Sequence, residues 1–342
     1  MSRLTLSVLD QSPAVKGQTP AQAIPTSLAL ARHCDRLGYA RYWLSEHHNS
    51  ASVAGTAPEV LMAAIAATTA RIRVGSAGIM LPHYSALKVA EQFRVLDAIA
   101  PGRIDLGLGR APGTDRLTAR ALNPHASPHA EDFPRQIMDL RDWVEGNRLA
   151  ESHPYRAISA QPQGPTSPEM WILGSSDYGA QLAAHLGLPY AYAYFFNDGQ
   201  GVEQALALYR QNYQPSVRFP EPRATICVWA LAADTLAEAQ RQMSTREHWR
   251  VRFEQGLLGP MVSPEEASAY DYNSVEQTRI AQLRSQALIG TGEQVAERIE
   301  ALARTLALDE IVVNTWAYDA AVRQHSYTLL AASFGLASSS HP

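Results

Sequence analysis

The chain has 342 residues, 46% of them apolar, and its 29 basic and 33 acidic residues are mixed along its length for a net charge of −4. This composition allows a large core and gives no support for a nucleic-acid groove or a polybasic membrane patch. Two distant cysteines, no signal-peptide pattern and no apolar run of the roughly 20 residues that a membrane helix needs predict a soluble protein of the reducing cytoplasm.

Short runs of β-branched and aromatic residues alternate along the chain with longer helical patterns. The runs predict eight strands, at residues 4–10, 40–45, 72–80, 103–109, 170–174, 189–195, 224–230 and 309–314. The longer patterns predict helices near residues 21–37, 56–69, 85–98, 134–145, 177–187, 201–213, from 234 onward, 292–306 and 318–332. Two longer segments interrupt this repeat, at residues 111–168 after the fourth strand and 235–285 after the seventh.

Eight strand–helix units predict a closed (β/α)8 barrel, the TIM barrel, as one domain over residues 1–342 with insertions after strands 4 and 7. The alternative is an open, doubly wound sheet, but its glycine-rich first turn is absent, because the first turn here reads LDQSPAVKG. In a barrel, functional residues gather at the carboxyl ends of the strands. The residues that directly follow each predicted strand are therefore the candidates for a site.

The stretch YWLSEHH places Glu46, His47 and His48 directly after the second strand. Adjacent residues of an extended segment point in opposite directions, so the two imidazoles are not expected to face one ligand. The HExxH spacing of a zinc helix is also absent, and we predict no metal site. Two interpretations of His47 stay open: proton transfer at the barrel mouth, or a structural hydrogen bond to a loop carbonyl. His48 is expected to point away from the mouth.

Two polar segments follow the fourth and fifth strands. In GLGRAPG, Gly109 allows close approach of a ligand, and Arg110 could hold a phosphate or simply pair with a neighbouring loop. In LGSSDYG, Ser175 and Ser176 precede a helix whose free N–H groups could bind an anion, although ordinary N-capping by Asp177 is the alternative. Because the two strands are neighbours, a phosphate between these segments is a reasonable prediction.

Four stretches together resemble the bacterial-luciferase-like flavin-dependent monooxygenases, in the same order and over nearly the whole chain: YWLSEHH, VGSAGIMLPHYSALKVAEQFRVLDAIAPGRIDLGLGR, ILGSSDYGAQLAAHLGLPYA and IGTGEQVAERIEAL. The nearest likeness is to alkanal-monooxygenase-like, non-luminescent members. The resemblance implies a TIM-barrel homodimer that binds FMN at the barrel mouth. Reduced FMN from a separate reductase would react with O2 to a C4a-peroxyflavin, which oxygenates a small organic substrate.

The resemblance also assigns roles to individual residues. It matches Glu46 and His47 to the catalytic Glu-His pair, with His47 near the flavin. Ala77 and Gly78, in the small-residue stretch GSAGIMLP, match the place of a non-proline cis peptide behind the flavin ring. On residue grounds alone, that stretch could equally serve close packing. Arg110 matches the phosphate-binding arginine.

The remaining positions lie around the expected phosphate. Ser175 and Ser176 match backbone and hydroxyl contacts to the phosphate, and Tyr178 lies close to them in the sequence. Gly109 and Gly174 stand where luminescent members carry a cysteine and a glutamate, which is consistent with a non-luminescent member that still binds FMN.

Two alternatives to an FMN monooxygenase stay open: an F420-dependent hydride-transfer enzyme on the same barrel, and a non-catalytic flavin-binding protein. The longer charged tail of F420 would need basic residues in addition to Arg110. We expect the segments 111–168 and 235–285 to act as lids, and residues 111–132 and 250–280 within them to select the substrate. The alanine-rich helix at 58–70 could pack in a dimer or on the barrel.

Overall fold

The computed structural model describes residues 4–124 and 132–336. Its strands are β1 (Thr5–Asp10), β2 (Arg41–Leu44), β3 (Arg73–Met80), β4 (Ile104–Gly109), β5 (Glu169–Gly174), β6 (Tyr190–Tyr192), β7 (Ala224–Ala232), β8 (Leu288–Gly290) and β9 (Glu310–Asn314). Its α-helices are α1 (Ala23–Leu37), α2 (Pro58–Thr68), α3 (Ala86–Ile99), α4 (Arg116–Leu122), α5 (Asp132–Glu145), α6 (Asp177–Leu186), α7 (Val202–Gln211), α8 (Leu236–Glu254), α9 (Pro264–Ala269), α10 (Ser274–Gln286), α11 (Gly292–Leu306) and α12 (Ala320–Ser333).

Eight of these strands close into a parallel barrel. They run side by side in the order β6-β5-β4-β3-β2-β1-β9-β7, and β7 pairs again with β6. Strand β1 lies between β2 and β9, and its Val8 is paired with Tyr42 of β2 and with Val313 of β9. This closure confirms the predicted (β/α)8 barrel, and the open doubly wound alternative is wrong.

The predicted elements differ from the observed ones mainly in the two long segments. The short strand β8 was not predicted, and it extends the sheet by pairing with the end of β7. Residues 250–280, expected to be irregular, contain the end of α8, all of α9 and the start of α10. Residues 111–132 contain α4, while residues 125–131 lie outside the described part of the chain. The sixth strand is shorter than expected, because a 3-10 turn begins at Tyr194.

Helices α4, α9 and α10 were not predicted, although each begins with a typical N-cap residue. Asp115 accepts hydrogen bonds from the first-turn N–H groups of α4, and Ser263 does the same for α9, which begins with a proline. Asn273 and Glu276 form a capping box at the start of α10. Because the α10 surface is polar almost all round, its helical period is weak and the caps are the main signal. No helix in the described ranges is long and apolar enough to cross a bilayer.

The amino-terminal end of the barrel is filled by paired charges. Arg41 Nη1 lies 2.7 Å from Asp105 Oδ2 and 3.0 Å from Glu169 Oε1, and Arg41 Nε lies 2.9 Å from Glu310 Oε1. Burial raises the pKa of Asp105, but the guanidinium groups of Arg41 and Arg73 lower it more, so the pKa lies below its ordinary value. We name Arg41, Asp105, Glu169 and Glu310 the basal ion cluster. The residues predicted for the site lie at the opposite end.

Candidate active site at the carboxyl-terminal mouth

The carboxyl ends of the barrel strands surround a cavity of about 310 Å3, which we call the mouth cavity. This size falls within the roughly 300–1,000 Å3 of pockets that hold small ligands. Its floor is apolar and is formed by inward-facing residues of the barrel: Leu9, Trp43, Ala77, Leu173, Ala191, Cys227 and Val312. Burial raises the pKa of the Cys227 thiol well above its ordinary value, so this cysteine stays protonated and unreactive.

The mouth cavity brings together nine of the ten residues predicted for the site. These are His47, Ala77, Gly78, Gly109, Arg110, Gly174, Ser175, Ser176 and Tyr178. The tenth, Glu46, is fully buried and is not among the lining residues. The strand-end rule therefore located the cavity, although it could not tell which side chains reach its surface.

Arg110, Ser175, Ser176 and Tyr178 form a polar end of the cavity. The Arg110 guanidinium stacks on Tyr178, with Cζ 4.0 Å from the ring centroid. Within the described residues Arg110 has no hydrogen bond or ion pair, so none of those residues provides the loop salt bridge that was the alternative. Ser175 and Ser176 are exposed toward the same end. A cation, two hydroxyl groups and a helix start converge there.

The start of α6 differs from the expected capping. Ser176, not Asp177, is the N-cap residue, and its side chain makes no capping hydrogen bond. Asp177 is the first helical residue, and its carboxylate accepts a hydrogen bond of 2.6 Å from Gln204 Nε2. The expectation that Asp177 caps the helix is wrong, because its carboxylate bonds to α7. The Ser176 hydroxyl and the first N–H groups of α6 remain open to a ligand.

One wall of the cavity is formed by the small residues of β3. The Ala77–Gly78 peptide bond is cis, as the family resemblance implies. A Cβ atom on Gly78 would lie only 2.7 Å from the Gly107 carbonyl oxygen of β4. The close-packing interpretation of the small-residue stretch is therefore confirmed, while its contact with a flavin ring stays a prediction for a residue that also lines the cavity.

His47 stands at the edge of the mouth cavity and is half-buried. Its backbone N–H donates to the Gly55 carbonyl at 3.0 Å, and its Nδ1 lies 3.1 Å from the Ser45 hydroxyl. Burial, and secondarily the nearby His48, lower the pKa of His47 from 6.5 to about 4. The imidazole is therefore neutral at pH 7 and can accept a proton or a hydrogen bond, but it carries no charge into the site.

Glu46 and His48 form a separate hydrogen-bonded group behind the cavity. Glu46 Oε1 lies 2.8 Å from His48 Nε2 and accepts a 2.6 Å hydrogen bond from the Tyr84 hydroxyl, while Oε2 accepts from Met80 N–H at 3.0 Å. This group connects the loop after β2 to the end of β3. His47 and His48 thus have different hydrogen-bond partners, and only His47 lines the mouth cavity. Both line a second cavity, so the expectation that the two residues would not face one space is wrong. In residues 4–124 and 132–336, no group of three or more His, Cys, Asp or Glu side chains could hold a metal ion.

A second cavity of about 360 Å3 adjoins the first, and we call it the side cavity. The two cavities share five lining residues: Gln11, His47, Gly113, Phe195 and Phe196. The side cavity is also lined by parts of both long segments, Gly113–Asp115 and residues of α8. Among the residues that line the side cavity, Gln11 could have been predicted, because it directly follows β1. Nothing local in the sequence identifies the contribution of α8.

The chain was compared with known proteins. The family described as luciferase-like monooxygenase matches residues 4–309. A luciferase-like monooxygenase of Escherichia coli (strain K12) is 38% identical over 326 residues, which cover 95% of this chain and 96% of that protein. N-acetyl-S-alkylcysteine monooxygenase of Bacillus subtilis (strain 168) is 36% identical over 328 residues, or 96% of this chain and 97% of that protein. The crystal structure of apo-MsnO8 matches with a TM-score of 0.89 and 36% identity, covering 98% of this chain and 100% of the other. The chain belongs to the luciferase-like monooxygenase family.

Proposed function

We propose that this protein is a flavin-dependent monooxygenase that uses reduced FMN and O2 to oxygenate a small organic substrate, with the reduced FMN supplied by a separate reductase. One observation carries the proposal. The mouth cavity combines an apolar floor, a neutral imidazole at its edge and an unpaired arginine beside a helix start. Membership of a monooxygenase family supports the same reaction class.

The residues of the mouth cavity fit FMN. The apolar floor can accept the face of a flat ring system, and the polar end offers Arg110 and two serine hydroxyls to a phosphate. Gly109 and Gly174 line the cavity without side chains, and a Cβ on Gly109 would lie 3.0 Å from Met80 Sδ, so this glycine also serves packing. Arg110 is the only arginine or lysine among the described lining residues, which favours one phosphate over the longer charged tail of F420.

His47 is the group that we assign to proton handling. Reduced flavin, when bound, supplies the two electrons with which O2 is activated for transfer of one oxygen atom. Because His47 Nδ1 faces the Ser45 hydroxyl, Nε2 is the nitrogen left for a reacting partner. A neutral imidazole there can take a proton from the substrate or hold a hydrogen bond to oxygen, and the Ser45 contact orients the ring.

The protein must also keep water away from the reacting oxygen, because water and free proton access favour unproductive release of H2O2. The two cavities share the tilted pair Phe195 and Phe196, whose ring centroids lie 4.5 Å apart. We assign this pair, together with the apolar floor, to water exclusion. The segment containing α8 covers the side cavity and is the part of the predicted lids that contributes most to its wall.

The test is oxygen transfer from labelled O2. Protein loaded anaerobically with reduced FMN is mixed with 18O2 and a panel of small aldehydes, ketones and thioethers, and products are analysed by mass spectrometry. We expect 18O in an organic product and a matching fall in H2O2. Absence of FMN binding together with absence of O2-dependent product would contradict the proposal. Product formed only with reduced F420, and without O2, would instead establish the hydride-transfer alternative.

His47→Gln is the matched variant for the catalytic role. We expect it to bind FMN nearly as well as the wild type but to convert most of the consumed O2 into H2O2. Exposed His185 on α6 provides the control His185→Gln, which should keep the wild-type ratio of product to H2O2. If His47→Gln kept that ratio as well, the assignment of proton handling to His47 would be wrong.

A further inference from the structure

The side cavity contains a buried cation without an anionic partner. Arg246 of α8 lines this cavity and is only 7% exposed. Within the described residues it makes no hydrogen bond or ion pair, and its guanidinium lies on Trp229, with Cζ 4.3 Å from the ring centroid. Burial, and secondarily Arg250, lower the pKa of Arg246 to about 9, so the group is still charged at neutral pH. An unpaired buried charge is costly unless something compensates it.

The carboxylates near Arg246 do not supply that compensation directly. Each of the two is already paired with another arginine: Asp198 with Arg279 at 3.4 Å and Glu247 with Arg284 at 2.7 Å. Asp198 and Glu247 raise the pKa of Arg246, but less than burial and Arg250 lower it. The positive charge at the cavity wall is therefore left for a ligand.

Two further polar atoms on the same cavity wall lack partners. Trp229 Nε1 is a buried donor and Asn314 Oδ1 a buried acceptor, and neither has a hydrogen bond within the described part of the chain. Most buried polar atoms in proteins have a hydrogen-bond partner. Two atoms without one, in residues that line the same cavity as Arg246, are therefore unusual.

Five further Phe and Trp side chains line the side cavity beside polar residues that include Asp115 and Arg250: Phe195, Phe196, Trp249, Phe253 and Trp316. Trp249 and Trp316 lie with ring centroids 4.6 Å apart, and Phe195 and Phe196 close the side toward the mouth cavity. Aromatic walls suit an alkyl or aryl body, whereas Arg246 suits an anionic end group. The cavity thus has the features of a site for an amphiphilic organic acid.

We propose that the side cavity is the substrate subsite and that it takes a small carboxylic acid. The carboxylate binds Arg246, the apolar body lies between the aromatic rings, and the end to be oxygenated reaches the shared wall at His47. This inference deepens the proposed function, because it names the chemical class of the substrate. It involves no bond making at Arg246, which is a specificity residue.

The test uses a matched pair of probes on the cofactor-free wild-type protein. Octanoate and octanamide have the same chain and nearly the same shape, but only octanoate is charged. Trp229, Trp249 and Trp316 line the cavity, so tryptophan fluorescence reports binding. We expect octanoate to bind at least ten-fold more tightly than octanamide. Equal affinities would overturn the proposal without any variant being made.

Variants then assign the preference to one residue. Arg246→Gln should weaken octanoate binding at least ten-fold and leave octanamide binding unchanged, whereas Arg246→Lys should keep part of the preference. Arg241→Gln provides the control, because Arg241 lies on the same helix but is exposed and outside the cavity lining. An Arg246→Gln protein that folds and still prefers octanoate would overturn the assignment of the carboxylate to Arg246.

The two proposals fail separately. Probe binding is measured without FMN, and FMN binding is measured without a probe. Loss of FMN-dependent oxygenation with the octanoate preference intact would remove the proposed function and leave an acid-binding cavity. Oxygenation of neutral substrates with no octanoate preference would keep the function and remove this inference.

Discussion

Among the described residues, Arg110 contacts the ring of Tyr178 and no carboxylate, so no ion pair neutralises its charge. Stacking on Tyr178 orients the guanidinium without neutralising it. The side chain can therefore offer its full charge to a phosphate, together with the start of α6. A salt-bridged arginine at the same place would first have to lose its partner.

The prediction for Arg110 concerns FMN affinity. Arg110→Ala removes charge-assisted hydrogen bonds of about 1.5–3 kcal/mol, so FMN binding should weaken by roughly 10- to 100-fold. Riboflavin, which lacks the phosphate, should bind both proteins equally well, and Arg120→Ala on exposed α4 should bind FMN normally. Both ligands can be titrated by flavin fluorescence. Unchanged FMN affinity, or an equal loss for riboflavin, would reject the phosphate role.

The second prediction concerns the protonation of His47. The folded protein resists protonation of this ring until pH is near 4, whereas an unfolded histidine protonates near 6.5. The unfolded state thus binds more protons between these values, and stability falls as pH decreases through this window. From pH 7 to 5 the loss attributable to His47 is about 2 kcal/mol.

Urea unfolding and NMR test this prediction on cofactor-free protein. His47→Gln should lose about 2 kcal/mol less than the wild type between pH 7 and 5, and His185→Gln should follow the wild type. The ring resonances of His47 should titrate with a midpoint near pH 4. A midpoint near 6.5 would contradict a half-buried, neutral imidazole.

The individual site residues were only partly predictable. His47 and Arg110 follow strand ends directly, and the barrel places such residues at the mouth. Glu46 follows a strand end as well, yet its carboxylate points to Tyr84 and the Met80 backbone, because neighbouring residues of an extended segment diverge. Arg246 lies mid-helix among other charged residues, and only the packing of α8 over the barrel makes it different from them.

At the scale of elements, β3 shows how a strand can serve the sheet and the site together. Gly78 approaches β4 so closely that a methyl group would contact the Leu173 side chain and the Gly107 carbonyl. Its neighbour Ala77 contributes to the apolar floor. The strand therefore needs small residues for packing, and the same small residues leave the wall of the mouth cavity smooth.

The prediction for this element concerns stability. Gly78→Ala should lower the free energy of unfolding by about 1–3 kcal/mol, because backbone atoms of β4 must move to accommodate the Cβ. Gly259→Ala is the control, since a Cβ at Gly259 would have no atom within 4 Å. That variant should be as stable as the wild type or slightly more stable. Denaturant unfolding compares the two. If Gly78→Ala were as stable as the wild type, the contact between Gly78 and β4 would not restrict this position to glycine.

Most elements could be predicted because each repeats the same signal, a short apolar strand followed by an amphipathic helix. The failures lie where the signal is weak. Strand β8 has three residues, too few for any periodicity, and it exists because the end of β7 offers a free edge. Helix α9 has six residues and is recognisable mainly from Ser263 and Pro264. Such short elements depend on their neighbours more than on their own sequence.

At the scale of the whole molecule, the barrel separates two kinds of polar residue. The basal ion cluster at one end pairs its charges with each other. At the other end, Arg110 and Arg246 lack such partners within the described residues. A buried charge is costly unless it is paired, so the buried Arg246 needs a ligand more than the exposed Arg110 does. The fold could be predicted from repetition along the chain, but this contrast between the ends appears only when the barrel is closed.

The basal ion cluster has a consequence for how such a protein can diversify. No residue of the basal ion cluster lines the mouth cavity or the side cavity. Substitutions around the mouth can therefore accumulate without removing the contacts that hold the opposite end together. A lineage built on this plan can change its chemistry by altering loops and α8, while the base of the barrel is inherited unchanged.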